Sequence, residues 1–397
     1  MTRFRPTDEK SLAEIVAAAV SQEEALEIVA GASKRGLGRP LQTPHTLDMA
    51  AFAGIKLYEP SELVLTAGAA TPLAEIEKAL DEAGQMLAFE PSDWRALHGT
   101  TTAAPTLGGT VACNLSGPRR IKQGAARDHL LGFRGVSGRG EAFKAGGRVV
   151  KNVTGYDLCK LIAGSYGTLV ALTELTVKVM PRPEETRSIL LRGLDDATAQ
   201  RAMSQALNSP HEVSGAAHLP QGEDGAGKPM TLLRLEGPGP SVAARATALT
   251  RELAEFGAAE EVRGEGSQRL WRALRDAASL AKFGERAIWR ASVPPTAGPL
   301  VAERVARRAD SRHFLDWGGG LVWLAVTGEQ DGGAEIVRSA VAQAGGHATL
   351  IRAPDALRSA VPVFQPQATA LAALAARVKQ SFDPKRILNR GRMYPEL

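Results

Sequence analysis

The first thirty positions of the chain change from helical to extended spacing of apolar residues. Leu12 and Val16 fall on one face of a predicted helix. Thr7 or Asp8 can cap this helix, because acidic and apolar helical positions follow them directly. The apolar run 26–29 then predicts a short strand, which leads into a glycine-rich stretch.

A second strand and helix are predicted in the first quarter of the chain. Residues 63–67 alternate in the manner of a strand. Pro72 then opens a helix at its first position, since proline lacks an N–H group that would be unpaired there. Leu73, Ile76 and Leu80 share one face of this helix, which we therefore expect to pack against a core.

Small residues dominate two later stretches. Residues 99–118 are mostly Gly, Ala, Thr and Ser and contain no charged side chain, whereas a loop in solvent normally carries more charge. We therefore expect this backbone to pack closely against another group. A second such stretch, 146–170, leads into the alternating strand 172–180.

Beyond this strand the composition changes. The proline-rich stop at 181–183 marks a domain boundary, and strand-then-helix units then repeat through residues 185–352. They predict an α+β cap domain with an antiparallel sheet that carries helices on one face. A final helix is predicted over residues 369–382. We therefore expect domains at 1–184, 185–352 and 353–397, the last returning to the first.

Composition narrows the function classes. The 397 residues are 44% hydrophobic, 23% charged and 5% aromatic, with a formal charge of +5. This excess of positive charge suits a small polyanionic ligand but is too weak and scattered for nucleic acid. Cys113 and Cys159 form no CxxC motif, so we expect reduced thiols and no metal or iron–sulfur site. Without a signal-peptide core or an apolar run of membrane-spanning length, we expect a cytoplasmic protein without a transmembrane segment.

The glycine-rich stretch 31–38, "GASKRGLG", places Lys34 and Arg35 directly after a predicted strand. One interpretation is a surface turn with two solvated cations. The other is an anion cradle, because backbone N–H groups of a glycine-rich turn can converge on one phosphate.

Several segments, in this order, resemble the PCMH-type FAD domain of vanillyl-alcohol-oxidase flavoproteins, and within it the FAD-binding subunit of glycolate oxidase complexes. They are "GASKRGLGRP", "LGGTVACNLSGPRR", "VVKNVTGYDLCKLIAGSYGTLVALTELTVKVMPRP" and "DPKRILNRGRMYP", with a long match over residues 58–91. The resemblance implies an α+β fold, in which a two-part FAD-binding domain carries the cap.

The resemblance also implies the cofactor-binding residues. The residues expected at the pyrophosphate are Gly31, Ala32, Ser33, Lys34, Arg35, Gly36 and Leu37. Those expected along the flavin and phosphates are Gly108, Gly109, Asn114, Ser116 and Gly117. Those expected at the adenosine end are Gly164, Ser165, Gly167, Thr168 and Val170, and Asn389 is expected beside the isoalloxazine ring. Gly36 is expected to need backbone angles that suit glycine.

Three positions depart from the pattern of the family. Ala32 stands where glycine is frequent, Tyr166 where glutamate is frequent, and Arg390 where proline is frequent. Since residues 31–38 contain no His or Cys, we expect FAD to be bound non-covalently. His45 lies just beyond this stretch and is interpreted as a surface residue.

Candidates for substrate chemistry lie in the cap. Oxidation of a 2-hydroxy acid needs a base and a cation for the carboxylate. The candidates are Trp289, Arg290, His313, Asp316 and Trp317, although the tryptophans also suit a core and His313 a structural contact. The seven histidines form no cluster at metal spacing, and the metal signature of related lactate and glycolate enzymes is missing. Arg119 and Arg120 are either a solvated pair or lie beside the flavin or an interface.

Three functions stay open. The favoured one is the FAD-binding subunit of a glycolate (2-hydroxy acid) oxidase, whose partners are a second FAD-containing catalytic subunit and an iron–sulfur subunit. An alternative to a purely cytoplasmic location is the periphery of the inner membrane, reached through this complex. The others are a self-sufficient FAD-dependent oxidoreductase and a non-catalytic scaffold stabilised by FAD.

Overall fold

The strands form four sheets in the computed structural model, which describes residues 2–100, 102–148, 155–223, 227–328 and 330–397. In chain order the strands are β1 (Thr2–Phe4), β2 (Leu26–Val29), β3 (His45–Asp48), β4 (Ile55–Glu59), β5 (Val64–Gly68), β6 (Gln85–Met86), β7 (Leu130–Ser137), β8 (Ala142–Gly146), β9 (Val170–Lys178), β10 (Met180–Pro181), β11 (Glu185–Arg192), β12 (Gly215–Leu219), β13 (Met230–Gly237), β14 (Ala259–Arg263), β15 (Ala287–Ser292), β16 (Ser311–Asp316), β17 (Leu321–Val326) and β18 (His347–Arg352). The helices are α1 (Glu9–Gln22), α2 (Leu73–Glu82), α3 (Leu107–Ala112), α4 (Arg120–Gln123), α5 (Ala126–His129), α6 (Leu158–Ile162), α7 (Asp196–Asn208), α8 (Gly239–Glu252), α9 (Gly264–Arg275), α10 (Ala278–Ala281), α11 (Gly298–Ala306), α12 (Ala334–Ala342), α13 (Asp355–Ala360) and α14 (Thr369–Phe382).

The N-terminal part contains a small parallel sheet and a larger antiparallel one. The parallel sheet has the order β1-β3-β2, and the antiparallel sheet has the order β4-β5-β9-β7-β8. Helix α1 packs Leu12 and Val16 into the core beside the parallel sheet. Its cap is Asp8, whose side chain accepts a hydrogen bond from the Ser11 N–H at 2.7 Å. The predicted helix and its cap are therefore confirmed.

The predicted start of α2 is off by one residue. Pro72 keeps an extended backbone, with ψ at 137°, and precedes the helix instead of forming its first turn. The predicted apolar face is confirmed, because Leu73, Ile76 and Leu80 are all buried. Every residue of strand β5 is buried, so both faces of its sheet are covered at this strand.

The second part of the chain forms an eight-stranded antiparallel sheet in the order β14-β11-β13-β12-β16-β17-β15-β18. The predicted antiparallel sheet is confirmed, but helices cover both of its faces. Helices α7, α8, α11 and α12 cover one face. Helices α9 and α10 pack on the other, together with Trp94 and Leu97 from the N-terminal part. This face also carries large apolar side chains such as Phe314 and Trp323, so it cannot face water.

The C-terminal tail returns to the N-terminal part. Helix α14 has the predicted bounds, and Lys379 near its end is buried. The Lys379 ammonium donates to the carbonyls of Thr168 and Leu388 at 2.7 and 3.1 Å and pairs with Asp383 at 2.8 Å. These contacts fix the tail beside the strand that follows Thr168. The division into domains at residues 184 and 352 stays a prediction.

One motif is only partly visible. The letters "VVKNVT" of the third segment, residues 149–154, lie outside the described residues. In the part of the chain that is described, the helices are too short or too polar to cross a bilayer.

Candidate functional site

An open cleft lies where the end of β2, the start of α3, the start of β9 and the C-terminal tail meet. Its lining residues are Ile28, Val29, Ala30, Gly31, Ala32, Ser33, Lys34, Arg35, Leu37, Met49, Ala69, Ala70, Thr106, Gly108, Gly109, Ala112, Cys113, Tyr166, Gly167, Val170, Leu172, Asn389 and Arg392. Segments far apart in the sequence therefore share one concave site.

The cleft contains many, but not all, of the residues that the sequence assigned to a cofactor. Those that line it are Gly31, Ala32, Ser33, Lys34, Arg35, Leu37, Gly108, Gly109, Gly167, Val170 and Asn389. Those outside the lining are Gly36, Asn114, Ser116, Gly117, Gly164, Ser165 and Thr168. Direct contact of any of these residues with a cofactor stays a prediction.

The loop after β2 is folded into tight turns. The Arg35 N–H donates to the Ala32 carbonyl at 3.3 Å, and the Leu37 N–H donates to the Lys34 carbonyl at 3.0 Å. A side chain at Gly31 would place its Cβ 1.8 Å from the Ala104 carbonyl oxygen. Gly31 is therefore required because another backbone segment lies against it.

The expectation of unusual backbone angles at Gly36 is wrong. The left-handed angles lie on either side, at Ala32 with φ 60° and at Gly38 with φ 77°. A Cβ on Gly36 would lie 2.6 Å from Nδ1 of His98. Gly36 is therefore needed because the His98 ring packs against it. A side chain at this position would point toward that ring and not into the cleft.

Arg35 and Lys34 have different surroundings. The Nε of Arg35 donates to Glu27 at 2.9 Å, and Arg392 donates to the same carboxylate at 3.2 Å. Burial alone would raise the pKa of Glu27, but the two guanidinium groups hold that pKa below its usual value. Glu27 is thus a shared anion between two arginines, and Arg35 is not a free cation.

Lys34 has no carboxylate partner among the residues that the structure describes. Its ammonium donates to the Ser33 hydroxyl at 3.3 Å. Burial lowers the pKa of Lys34, because the charged form loses hydration. An anion in the cleft would compensate this charge, so the site fits a phosphate-containing ligand.

The tail closes the cleft through Asn389 and Arg392. Oδ1 of Asn389 accepts a hydrogen bond from the Ile28 N–H at 2.8 Å, and Nδ2 donates to the Tyr166 carbonyl at 2.8 Å. Arg392 donates to the carbonyls of Arg35 and Leu37 at 3.1 and 3.2 Å. Both tail residues therefore hold the walls of the cleft in position.

The predicted residues behind the first wall mainly stabilise turns. Oδ1 of Asn114 accepts from the Arg127 N–H at 3.0 Å, and the Ser116 hydroxyl accepts from the Ala126 N–H at 2.9 Å. The Gly117 carbonyl accepts from the Trp317 indole N–H at 3.3 Å. Gly117 thereby connects the N-terminal part to the eight-stranded sheet.

The turn before β9 has a similar supporting role. The Gly164 N–H donates to Val111 at 3.1 Å, and the Thr168 hydroxyl donates to the Ser165 carbonyl at 2.7 Å. This turn presents Tyr166 and Gly167, both of which line the cleft.

Sequence reasoning missed several lining residues. Cys113 and Arg392 stand inside segments that were quoted as motifs, so their position in the motif was a usable signal. Leu172 also lies inside a quoted segment, whereas Met49 carries no such signal, because it reaches the cleft only through tertiary packing. Burial raises the pKa of Cys113 to about 11, so this residue is a neutral thiol and a poor nucleophile.

Several other predicted residues have structural contacts. Trp289 is fully buried, which confirms its place in the core. His313 lies 2.8 Å from a carboxylate oxygen of Asp196. His45 is half-buried and lies 2.6 Å from Glu24, so it is not a surface residue.

Arg119 and Arg120 are not a solvated pair. Arg119 forms ion pairs with Glu90 at 2.9 Å and Glu236 at 2.5 Å. The Arg120 guanidinium lies over the ring of Trp317, 4.8 Å from its centroid.

Both cysteines are free. Within the described ranges, no group of three His, Cys, Asp or Glu residues could hold a metal ion.

Sequence comparison places these features in a family. Residues 3–146 match the FAD binding domain family, and residues 366–393 match the C-terminal domain of FAD linked oxidases. Glycolate oxidase subunit GlcE of Escherichia coli (strain K12) is 38% identical over 392 residues, which cover 98% of each chain. Glycolate oxidase subunit GlcD of Bacillus subtilis (strain 168) is 42% identical over 96 residues, covering 24% of this chain and 20% of that one.

Solved structures share the fold. An alkyldihydroxyacetonephosphate synthase superposes with a TM-score of 0.69 at 17% identity, over 98% of this chain and 76% of the other. A p-cresol methylhydroxylase gives a TM-score of 0.67 at 14% identity, over 98% and 88%. Together with the cleft, these findings define an FAD-linked oxidoreductase with a PCMH-type, α+β fold. The chain belongs to the family of glycolate oxidase subunit GlcE.

Proposed function

We propose that this chain is the FAD-binding subunit of a multi-subunit oxidase that acts on glycolate or a related small 2-hydroxy acid. The observation that carries the proposal is the cleft in which Lys34 has no described carboxylate partner while two glycine-containing segments line the same space. The similarity to subunit GlcE over nearly the whole chain supports the choice of glycolate.

The residues of the cleft fit FAD. Lys34 would compensate the charge of the pyrophosphate, and Gly108 and Gly109 would let the ligand approach the backbone. Tyr166 and Asn389 line another part of the cleft and would position the ring system. FAD supplies a hydride acceptor. Non-covalent attachment is favoured, because Cys113 is held as a neutral thiol in the cleft.

The partners follow from what electron transfer requires. Electrons accepted in the cleft need a further acceptor, and a chain with two cysteines cannot bind a four-cysteine cluster by itself. An iron–sulfur subunit would supply that acceptor. A second FAD-containing subunit would carry the main substrate chemistry.

A self-sufficient oxidoreductase is the second candidate. Asp316 favours it, because burial raises the pKa of this carboxyl group to about 7, a value that suits a general base. In that case the isolated chain would oxidise the substrate without partners.

The test begins with the isolated chain. We expect a yellow protein whose FAD is released into the supernatant by acid or heat. Flavin that stays with the precipitate would contradict non-covalent binding. A folded chain that neither retains FAD nor binds added FAD would contradict the proposed function.

Anaerobic reduction then separates the two candidates. Glycolate and D-lactate are mixed with the FAD-loaded chain, first alone and then with the partner subunits. The subunit function predicts little reduction alone and dye reduction after mixing. Turnover by the isolated chain at about 1–10³ per second would instead support the self-sufficient enzyme.

A further inference from the structure

Two arginines share one tryptophan at the seam between the N-terminal part and the eight-stranded sheet. The guanidinium carbon of Arg120 lies 4.8 Å from the ring centroid of Trp317, and that of Arg290 lies 4.9 Å from it. Arg120 begins α4, Arg290 lies on β15 and Trp317 follows β16. Since the Trp317 indole also donates to Gly117, the ring is held against the N-terminal part.

The seam lies next to the candidate cofactor cleft. Trp289 and Ala291, the neighbours of Arg290 on β15, point into the core on one face of the sheet. Alternation along the strand places Arg290 on the opposite face, which meets the N-terminal part. Tyr166 lines the cleft and lies near enough to interact electrostatically with Arg290.

Neither Arg120 nor Arg290 forms an ion pair with a carboxylate in the described part of the chain. The adjacent Arg119 shows the opposite arrangement, with Glu90 and Glu236 on either side. Burial, together with the charge of Arg120, lowers the pKa of Arg290 to about 10. Both arginines are therefore charged at neutral pH, and an unpaired, partly buried cation is energetically unfavourable.

We propose that Arg120 and Arg290 bind the carboxylate of a small 2-hydroxy acid, with the Trp317 ring as one wall of the site. Planar guanidinium groups suit this ligand, because each can offer two parallel N–H donors to a carboxylate. The site is reachable from solvent, because Arg120, Arg290 and Trp317 are each partly exposed.

This assignment rests on the proposed function, since it takes its ligand from the substrate class of the oxidase. It adds a site on this chain, in the seam beside the cofactor cleft. The chain would then bind the acid itself, even where a partner subunit carries out the main oxidation.

Isothermal titration calorimetry of the FAD-loaded chain tests the site, with glycolate and oxalate as probes. Arg120→Gln and Arg290→Gln should each weaken binding by about tenfold to a hundredfold, the usual effect of losing a hydrogen-bonded charged group. Arg251→Gln is the matched control, because Arg251 is an exposed arginine on α8. It should leave both affinities unchanged.

Further measurements separate loss of binding from loss of folding. Circular dichroism melting is recorded for every variant, and Arg290→Lys, which retains the charge, should recover part of the affinity. Unchanged affinity in both glutamine variants would overturn the site. Absence of binding to an FAD-loaded wild-type chain would also overturn it, while the proposed function would stand. Oxalate binding by a chain that never takes up FAD would support the site and remove the proposed function.

Discussion

Asn389 accepts a hydrogen bond from the backbone N–H of Ile28 at 2.8 Å, across 361 positions of the sequence. The same side chain donates to the Tyr166 carbonyl. One amide thus joins the tail to two walls of the cleft.

Replacing this amide should loosen the cleft. Asn389→Ala leaves a buried N–H and a buried carbonyl without partners, so we expect the free energy of unfolding to fall by about 1–3 kcal/mol. Urea denaturation measures this change. The control is Asn208→Ala at the exposed end of α7, where the amide donates to Ser204 and little change is expected. Equal effects of the two substitutions would contradict a structural role for Asn389.

The left-handed backbone of Ala32 gives a second prediction. Its φ of 60° costs an alanine about 1–2 kcal/mol relative to the right-handed region. Ala32→Gly should therefore leave stability unchanged or raise it by up to about 1 kcal/mol, with FAD binding retained. Thermal melting measures the change.

A helix provides the control for this glycine substitution. Ala244→Gly, on an exposed position of α8, should lower stability by about 1 kcal/mol. A loss of stability in Ala32→Gly as large as that in Ala244→Gly would contradict backbone strain at Ala32.

The loop around Ala32 also shows what the sequence could predict. Local patterns located β2, the glycine-rich turn and the bounds of α14, because these depend on nearby residues. The positions within the turn that require glycine depend on contacts with Ala104 and His98, which come from a distant segment. The sequence therefore indicated the loop, but the expected backbone angles of Gly36 were wrong.

Ion pairing was even less accessible from the sequence. Arg119 and Arg120 are adjacent and chemically identical, yet one pairs with Glu90 and the other lies over Trp317. Their different roles follow from β13 and the turn after β16, which are brought alongside only in the folded chain. The helices on the second face of the large sheet could not be predicted for the same reason. Apolar residues lie on both faces of each strand, so the strand sequence does not show which elements cover each face.

The buried ion network between the two parts of the chain gives a third prediction. Glu90 is buried between Arg119 and Arg234, with distances of 2.9 and 2.8 Å. Glu90→Gln removes the anion and leaves buried cations under-compensated, so the free energy of unfolding should fall by about 3–5 kcal/mol. Urea denaturation checks this value.

A surface pair is the control for the buried network. Glu303→Gln breaks the exposed contact with Arg307 on α11 and should cost no more than about 0.5 kcal/mol. A Glu90→Gln effect as small as this would show that the network does not stabilise the fold.

Asp316 predicts a pH dependence. Burial raises the pKa of its carboxyl group from 3.8 to about 7. Between these values the folded chain retains a proton that the unfolded chain releases, so this group makes stability fall as pH rises from about 4 to about 7 and adds no further fall above 7. Asp316→Asn removes that decline. Its stability relative to wild type should improve from pH 5 to pH 8 by up to about 2.7 kcal/mol, the effect of the two pH units between 5 and 7.

Urea denaturation at pH 5, 6, 7 and 8 measures this difference. Asp81→Asn, at an exposed position, is the control and should change stability only slightly. A pH-independent difference for Asp316→Asn would show that the carboxyl group titrates normally.

The central claim is that Lys34 holds an anionic cofactor in the cleft, and the affinity for FAD tests it most directly. Fluorescence titration of the FAD-free chain gives the dissociation constant for wild type, Lys34→Met and Lys78→Met, the last at an exposed position of α2. We predict that Lys34→Met weakens FAD binding by about tenfold to a hundredfold, whereas Lys78→Met leaves it unchanged. Equal FAD affinity in all three proteins would contradict the account.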